Sequence, residues 1–131
     1  AISTDVIVGF PGEKDSDFKA TYEFCKLIKF SKIHVFSFSA HEKAPAFHYP
    51  DKVSSIDIKN RSKELRALSK KQEQDFKKEI LSQSKELDVI VESVEAGKIR
   101  AKSQYYFDLL LAPGKVCSPK KSIGKIIKYK L

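Results

Sequence analysis

The sequence predicts an α/β segment of the strand–helix–strand kind, then a long helix, then a small all-β, OB-like barrel. Three observations predict it. Val6-Ile7-Val8 is an unbroken β-branched run that stops at Gly9-Phe10-Pro11-Gly12, with a helical pattern and a second strand pattern close behind. A charged stretch then runs without glycine or proline from Asp51 to Ala96. From Lys85 onward, short alternating apolar stretches are separated by turn residues, which is the signature of a small barrel or sandwich. The boundaries expected are 1–53, 54–84 and 85–131.

The first strand shows no in/out alternation, so it reads as buried on both faces in a parallel sheet. The glycines after it allow a sharp turn and close backbone approach at the strand's C-terminal end, where parallel α/β proteins bind ligands. The spacing is neither G-x-G-x-x-G nor a P-loop. Phe18, Tyr22, Cys25 and Ile28 fall at helical spacing, with Phe24 and Leu27 beside them, and Asp15 or Ser16 is the expected cap. Cys25 reads as a core thiol. Lys32–Phe38 is the second strand, reached by a right-handed parallel crossover. His34 within it reads as a core or sheet-face histidine. A loop from Ser39 to Ala46, carrying His41, leaves the strand's C-terminal edge.

Ile58, Leu65, Leu68, Phe76 and Ile80 form a thin apolar stripe on one long helix, or on two with a slight break. Lys70, Lys71, Lys77 and Lys78 read as its solvated face. Beyond it, Leu87, Val89 and Val91 alternate with polar positions, Glu95-Ala96-Gly97 turns the chain, and Lys98–Lys102 alternates again. Tyr106–Leu111 and Gly124–Tyr129 are the remaining strands expected. Fewer than fifty residues give a thin core, so the module is expected to lean on the preceding helix. Lys98, Arg100 and Lys102 share one face, Lys115, Lys120 and Lys121 lie in a loop, and Tyr105 and Tyr106 sit beside them. Cations with aromatics on such a barrel suit RNA, phosphate by charge and base by stacking. The alternative is a basic barrel with structural tyrosines.

The 131 residues carry a net charge of +8 and a pI near 9.4, which favours an acidic partner, nucleic acid foremost. No apolar run approaches membrane-spanning length, and there is no signal-peptide pattern. Cys25 and Cys117 are far apart and form no C-x-x-C, so both read as reduced thiols in a cytoplasmic protein. The chain opens almost directly on a strand that needs neighbours, so it is expected to be a fragment lacking N-terminal partner strands.

Thr4–Glu13 resembles the T-D-[IV]-I-V-G-F-P-G-E segment of the tRNA methylthiotransferases, radical S-adenosylmethionine enzymes. Phe30–Phe36, Ser39, Pro45-Ala46, Pro50–Val53 and Arg61–Ser69 follow the same family pattern. The His34-Val35-Phe36 form is most similar to the branch acting on threonylcarbamoyladenosine in tRNA. The isopentenyladenosine branch and the branch modifying a ribosomal protein are the alternatives. Lys102–Tyr106 is similar to the H-T-E-N-Y signature of the family's C-terminal RNA-binding TRAM domain, with Gln104 and Tyr105 departing from it. His41, Lys43, Ala44 and Ser37 stand where the family usually has arginine, glycine, threonine and proline.

The resemblance implies the last βαβ part of a partial TIM-like radical SAM barrel, a helical connector and a TRAM barrel. It implies a full-length transferase that uses S-adenosylmethionine and two 4Fe-4S clusters to add a methylthio group to C2 of the modified adenosine beside the anticodon. The family's C-x-x-x-C-x-x-C loop is absent, so this chain is expected to hold no catalytic residue, no metal ligand and no cluster, and to be inactive alone. By the same resemblance, Ile7 and Phe10 contact the adenine, Gly9, Pro11 and Gly12 allow close approach, and His41 faces the modified base. Lys98, Arg100, Lys102, Ser103, Tyr105, Tyr106, Lys115, Lys120 and Lys121 meet the RNA. The expected partner is the anticodon arm of tRNA, with neither DNA nor membrane. A non-catalytic RNA-binding module is the reading of another class.

Overall fold

A computed structural model describes all residues, 1–131. The elements are β1 (Ser3–Val8), α1 (Asp15–Ile28), β2 (Lys32–Ser37), α2 (Ser55–Gln83), β3 (Glu86–Glu95), β4 (Lys98–Ser103), β5 (Asp108–Leu111) and β6 (Ile126–Lys130). The chain divides into two compact units, Ile2–Gln74 and Asp75–Leu131, and the division falls inside α2.

In the first unit β1 and β2 pair in parallel, Val6 opposite Val35 and Ile7 opposite Phe36. The crossover helix α1 is capped at Lys14, not at Asp15 or Ser16: the Lys14 N–H donates to Asp17 Oδ2 at 2.9 Å. The core gathers Val8, Phe18, Cys25, Phe30, Ile33, Val35, Leu65 and Leu68. The apolar arc of α1 is wider than its buried stripe, and Phe24, Leu27 and Ile28 are exposed. The expectation of a strand buried on both faces is corrected. Val8 is fully buried, but Ile7 is 54% exposed and Phe36 53%. Both helices that cover this sheet bury the Val8, Ile33 and Val35 side, leaving Ile7 and Phe36 together on the open face. His34 lies on that open face, opposite Asp5.

α2 does more than supply Leu65 and Leu68. Ser69 Oγ donates to the Ile33 carbonyl at 2.9 Å and accepts from the Ile33 N–H at 3.0 Å. Arg66 Nη2 donates to the Val35 carbonyl at 2.9 Å. These side chains satisfy the outer edge of β2, an edge that would otherwise offer unpaired backbone groups.

The second unit is a four-stranded antiparallel sheet in the order β5-β4-β3-β6. Its core is Leu87, Val89, Val91, Ile99, Ala101, Phe107, Leu111, Val116 and Tyr129, with Phe76, Ile80 and Leu81 of α2 packed against it. The register slips between Val91 and Ser93, a β-bulge at Glu92. That extra residue switches the inward set from Leu87, Val89 and Val91 to Val94. Two left-handed residues, Ala96 (φ 47°) and Gly97 (φ 76°), make the tight hairpin.

Two details differ from expectation. The strand expected over Tyr106–Leu111 begins at Asp108, because Tyr106 takes a left-handed turn conformation (φ 66°). The expected closed barrel is a barrel-like sheet in which no ladder joins β5 to β6. Instead the Ala112 N–H, just past β5, donates to the Tyr129 hydroxyl on β6 at 3.3 Å, and Val91 bridges to Ile123.

Candidate nucleic-acid interface

The turn between β4 and β5 is built around Ser103. Its side chain is buried, and its Oγ accepts the N–H groups of Tyr105 and Phe107, both at 3.3 Å. Its carbonyl accepts from the Tyr106 N–H at 2.9 Å, and its own N–H donates to the Phe107 carbonyl at 3.0 Å. The Gln104 N–H ties the turn to β3 through the Asp88 carbonyl at 2.9 Å. These bonds together hold Tyr106 in a left-handed conformation costing about 1–2 kcal/mol for a non-glycine residue. The ring is thrown outward, 80% exposed. Such strain, held by its surroundings, marks candidate functional positions.

Beside Tyr106 lies a recess of about 220 Å³, lined by Asp88, Ile90, Lys102, Gln104, Tyr106 and Ile126 among others. Its floor is aliphatic, where Ile90 pairs with Ile126 and with Lys102. Its rim carries amide, carboxylate and ammonium groups. An aromatic face, an apolar floor and polar groups at the edge are what an unstacked nucleobase requires.

The cations are not equivalent. Lys98 and Arg100 are exposed and make no ion pair. Lys102 is engaged with Asp108 at 2.6 Å and Glu92 at 3.9 Å. Lys115 donates to the Lys130 carbonyl at 3.2 Å and lies over the Tyr129 ring. Lys120 and Lys121 project from the turn Pro119–Ser122, which Ser122 pins through the carbonyls of Cys117 and Ser118. Tyr105 is packed inward, stacked on Phe107 and edge-on to Phe76. So the structure brings Lys102, Ser103 and Tyr106 to one recess, places Lys98 and Arg100 further along the same outer sheet face, and leaves Lys115, Lys120 and Lys121 in the loop between β5 and β6. Sequence reasoning missed Gln104, Ile90 and Ile126 as lining, and also the acidic interleaving on that face. Lys128, paired with Glu86 at 3.1 Å, is pushed up in pKa by that bond and by the charges of Glu86 and Asp88.

In the first unit the Gly9–Glu13 turn is clamped from below. Glu13 Oε2 accepts from the Gly9 N–H and from Arg61 Nη1, both at 2.6 Å, while Arg61 Nη2 reaches Asp15 at 2.6 Å. Arg61 is buried. Desolvation draws its pKa down, but the hydrogen bonds and charges of Asp15 and Glu13 outweigh that and leave it raised. The Glu13–Arg61 pair is the residue-level cause of the turn's shape, and its two halves stand 48 positions apart. Gly9 has φ +78°, and a Cβ there would lie 2.2 Å from Ile58 Cγ1. The space on the Cβ side of Gly9 is therefore filled by Ile58 of α2. Gly12 (φ +86°) faces open space. Ile7 is exposed, and Phe10 is 41% exposed in an aromatic cluster with Phe38 and Tyr49. Pro11 lies half-buried between Phe10 and Gly12. His41 is exposed, and its Nδ1 accepts from the Lys43 N–H at 3.3 Å.

The chain is thus a parallel α/β unit with a glycine-bracketed strand end, continued by α2 into an antiparallel module that carries exposed cations. The chain belongs to the methylthiotransferase family. Threonylcarbamoyladenosine tRNA methylthiotransferase MtaB of Chlamydia pneumoniae is 35% identical over 114 residues, 86% of this chain and 26% of its own length. Ribosomal protein uS12 methylthiotransferase RimO of Thermosipho africanus is 30% identical over 130 residues, 99% of this chain and 30% of its own length. The tRNA-2-methylthio-N(6)-dimethylallyladenosine synthase of Corynebacterium urealyticum is 36% identical over 87 residues, 66% of this chain and 16% of its own length. The chain thus spans less than a third of each of these relatives. No family model matches it.

Proposed function

We propose that this chain is the C-terminal part of a cytoplasmic radical S-adenosylmethionine enzyme that adds a methylthio group to C2 of N6-threonylcarbamoyladenosine beside the anticodon of tRNA. Residues 85–131 act as a TRAM-type module for the anticodon arm, 54–84 as the connector and 1–53 as one side of the cofactor site. The recess under Tyr106 carries the RNA part of this reading, since it offers one base a stacking ring and a polar edge. Lys98 and Arg100 supply unpaired positive charge on the same face for the flanking phosphates.

For the cofactor side, the exposed Ile7 and Phe10 beside the open Gly12 suit a flat heteroaromatic group, whereas Gly9 serves the packing of Ile58. The iron–sulfur chemistry does not fit this chain's own residues. A cluster takes three or four thiolates, and the chain has Cys25, buried in the first unit, and Cys117, exposed in the second. The chain alone is accordingly proposed to be inactive, with the clusters held elsewhere in the full-length enzyme.

The reading is tested by anisotropy titration of the chain with a fluorescein-labelled anticodon stem–loop RNA. Tyr106→Ala should weaken binding about 5- to 100-fold, the range of one base–aromatic stack, and the double Lys98→Gln/Arg100→Gln change should weaken it and flatten its salt dependence. Unchanged binding in both variants sinks the reading. Complementation of strains lacking one or another tRNA methylthio modification, by the complete gene, separates the threonylcarbamoyl from the dimethylallyl substrate.

A further inference from the structure

A further recess belongs to the first unit and is lined by none of the β-module residues assigned to RNA. A groove of about 530 Å³ runs between Ser37, the last residue of β2, and the first turns of α2, where Ser55, Lys59, Ser62, Lys63 and Arg66 line it beside Ile58. At 100° per residue these five helix positions fall within one arc of about 100°. Asp57 and Glu64 fall on the opposite side of the helix, and Asp57 is occupied by the Ser54 hydroxyl at 2.7 Å. None of Lys59, Lys63 and Arg66 has a carboxylate within ion-pair distance.

Arg66 is held in place by the Val35 carbonyl and, through Nε, by Ser62 Oγ at 3.0 Å. Those two bonds leave further guanidinium N–H groups for a ligand. Lys59 and Lys63 are like charges at i, i+4, an arrangement that destabilises a helix until an anion sits between them. Three cations and three hydroxyls around one groove match a phosphodiester, which has one charge and two non-bridging oxygens that accept in several directions.

We infer that the groove between β2 and α2, lined by Lys59, Lys63 and Arg66, binds a backbone phosphate of the RNA substrate. The inference rests on the tRNA reading and extends it to a contact outside the β-module. The site would hold RNA without reading sequence, because phosphate contacts position a nucleic acid and base contacts specify it.

The test uses the full chain with the same labelled stem–loop RNA, titrated over a series of salt concentrations. Lys59→Gln/Lys63→Gln is expected to weaken binding severalfold and to make the log K against log salt slope shallower by about 0.7–0.9 for each phosphate no longer neutralised. Lys59→Arg/Lys63→Arg should keep both near the unmodified values. Both lysines are exposed, so the circular dichroism spectrum should not change. If the glutamine pair leaves affinity and slope untouched while Lys98→Gln/Arg100→Gln weakens binding, the groove does not touch RNA and the tRNA reading stands. If neither set changes anything, both fall. If inorganic phosphate shifts the amide resonances of residues 59–66 but the RNA slope is unaltered, the groove is a site for free anions and the inference is overturned.

Discussion

Gly9 and Gly12 are three residues apart, both left-handed, and needed for different reasons. Alanine at Gly12 would face open space and meet only the conformational penalty, about 1–2 kcal/mol. Alanine at Gly9 would add a methyl group 2.2 Å from Ile58 in a buried turn, and overpacking of that kind costs a further 1–3 kcal/mol or so. Urea titration should place Gly9→Ala well below Gly12→Ala in midpoint, with Ile58→Ala partly rescuing the former. Equal midpoints would show that the turn shifts to make room. The neighbouring pair behaves differently again. Arg61→Met strands the carboxylate of Glu13, whose side chain is 13% exposed, and should cost about 3–5 kcal/mol. Asp15→Asn removes a partner that is 97% exposed and should cost under about 1 kcal/mol. The double change Arg61→Met/Glu13→Gln should recover much of the Arg61→Met loss, which a double-mutant cycle measures directly.

At the scale of elements, α2 replaces the missing neighbour of an edge strand with side chains. Ser69→Ala leaves the Ile33 N–H and carbonyl without their partner at a buried position, and the expected loss is about 1–3 kcal/mol. Exchange of the Ile33 amide should quicken together with that loss. Exchange and stability both unchanged would mean that the Ser69 hydroxyl does not protect the Ile33 amide. Local patterns made the elements legible: a β-branched run before Gly9, helical spacing from Phe18 to Cys25, the Glu95–Gly97 turn between alternating stretches, and the thin apolar stripe from Ile58 to Ile80 that lies on one helix. The features that long-range partners decide were not legible. Ile7 reads as buried because its neighbours are apolar, yet the helices cover only the other face. The Glu92 bulge, the Ser69 bonds and the left-handed Tyr106 each depend on a residue from another element. The candidate interface shows the same division. Tyr106, Lys98 and Arg100 could be picked from alternation and charge, whereas the pairing of Lys102 with Asp108 needs the β4–β5 register.

Across the whole molecule the two cysteines report on the two units separately. Cys117 is exposed and should react with an aromatic disulfide reagent at once. Cys25 is about 1% exposed and should react only as the first unit opens, at a rate that rises with urea. Burial pushes the Cys25 thiol above its ordinary value of 9.0. The folded unit therefore keeps its proton to higher pH than the unfolded chain does. The contribution from this group is fully present below about pH 9 and is lost as pH rises from there through the folded value. Lysines and tyrosines titrate in the same range, so the comparison is with Cys25→Ala. That variant loses packing at every pH but should show a flatter fall in stability above pH 9. If the two profiles are parallel, the thiol titrates alike in both states and the core around it admits water. If Cys25 also reacts as fast as Cys117 without denaturant, the first unit does not hold its core in the form described.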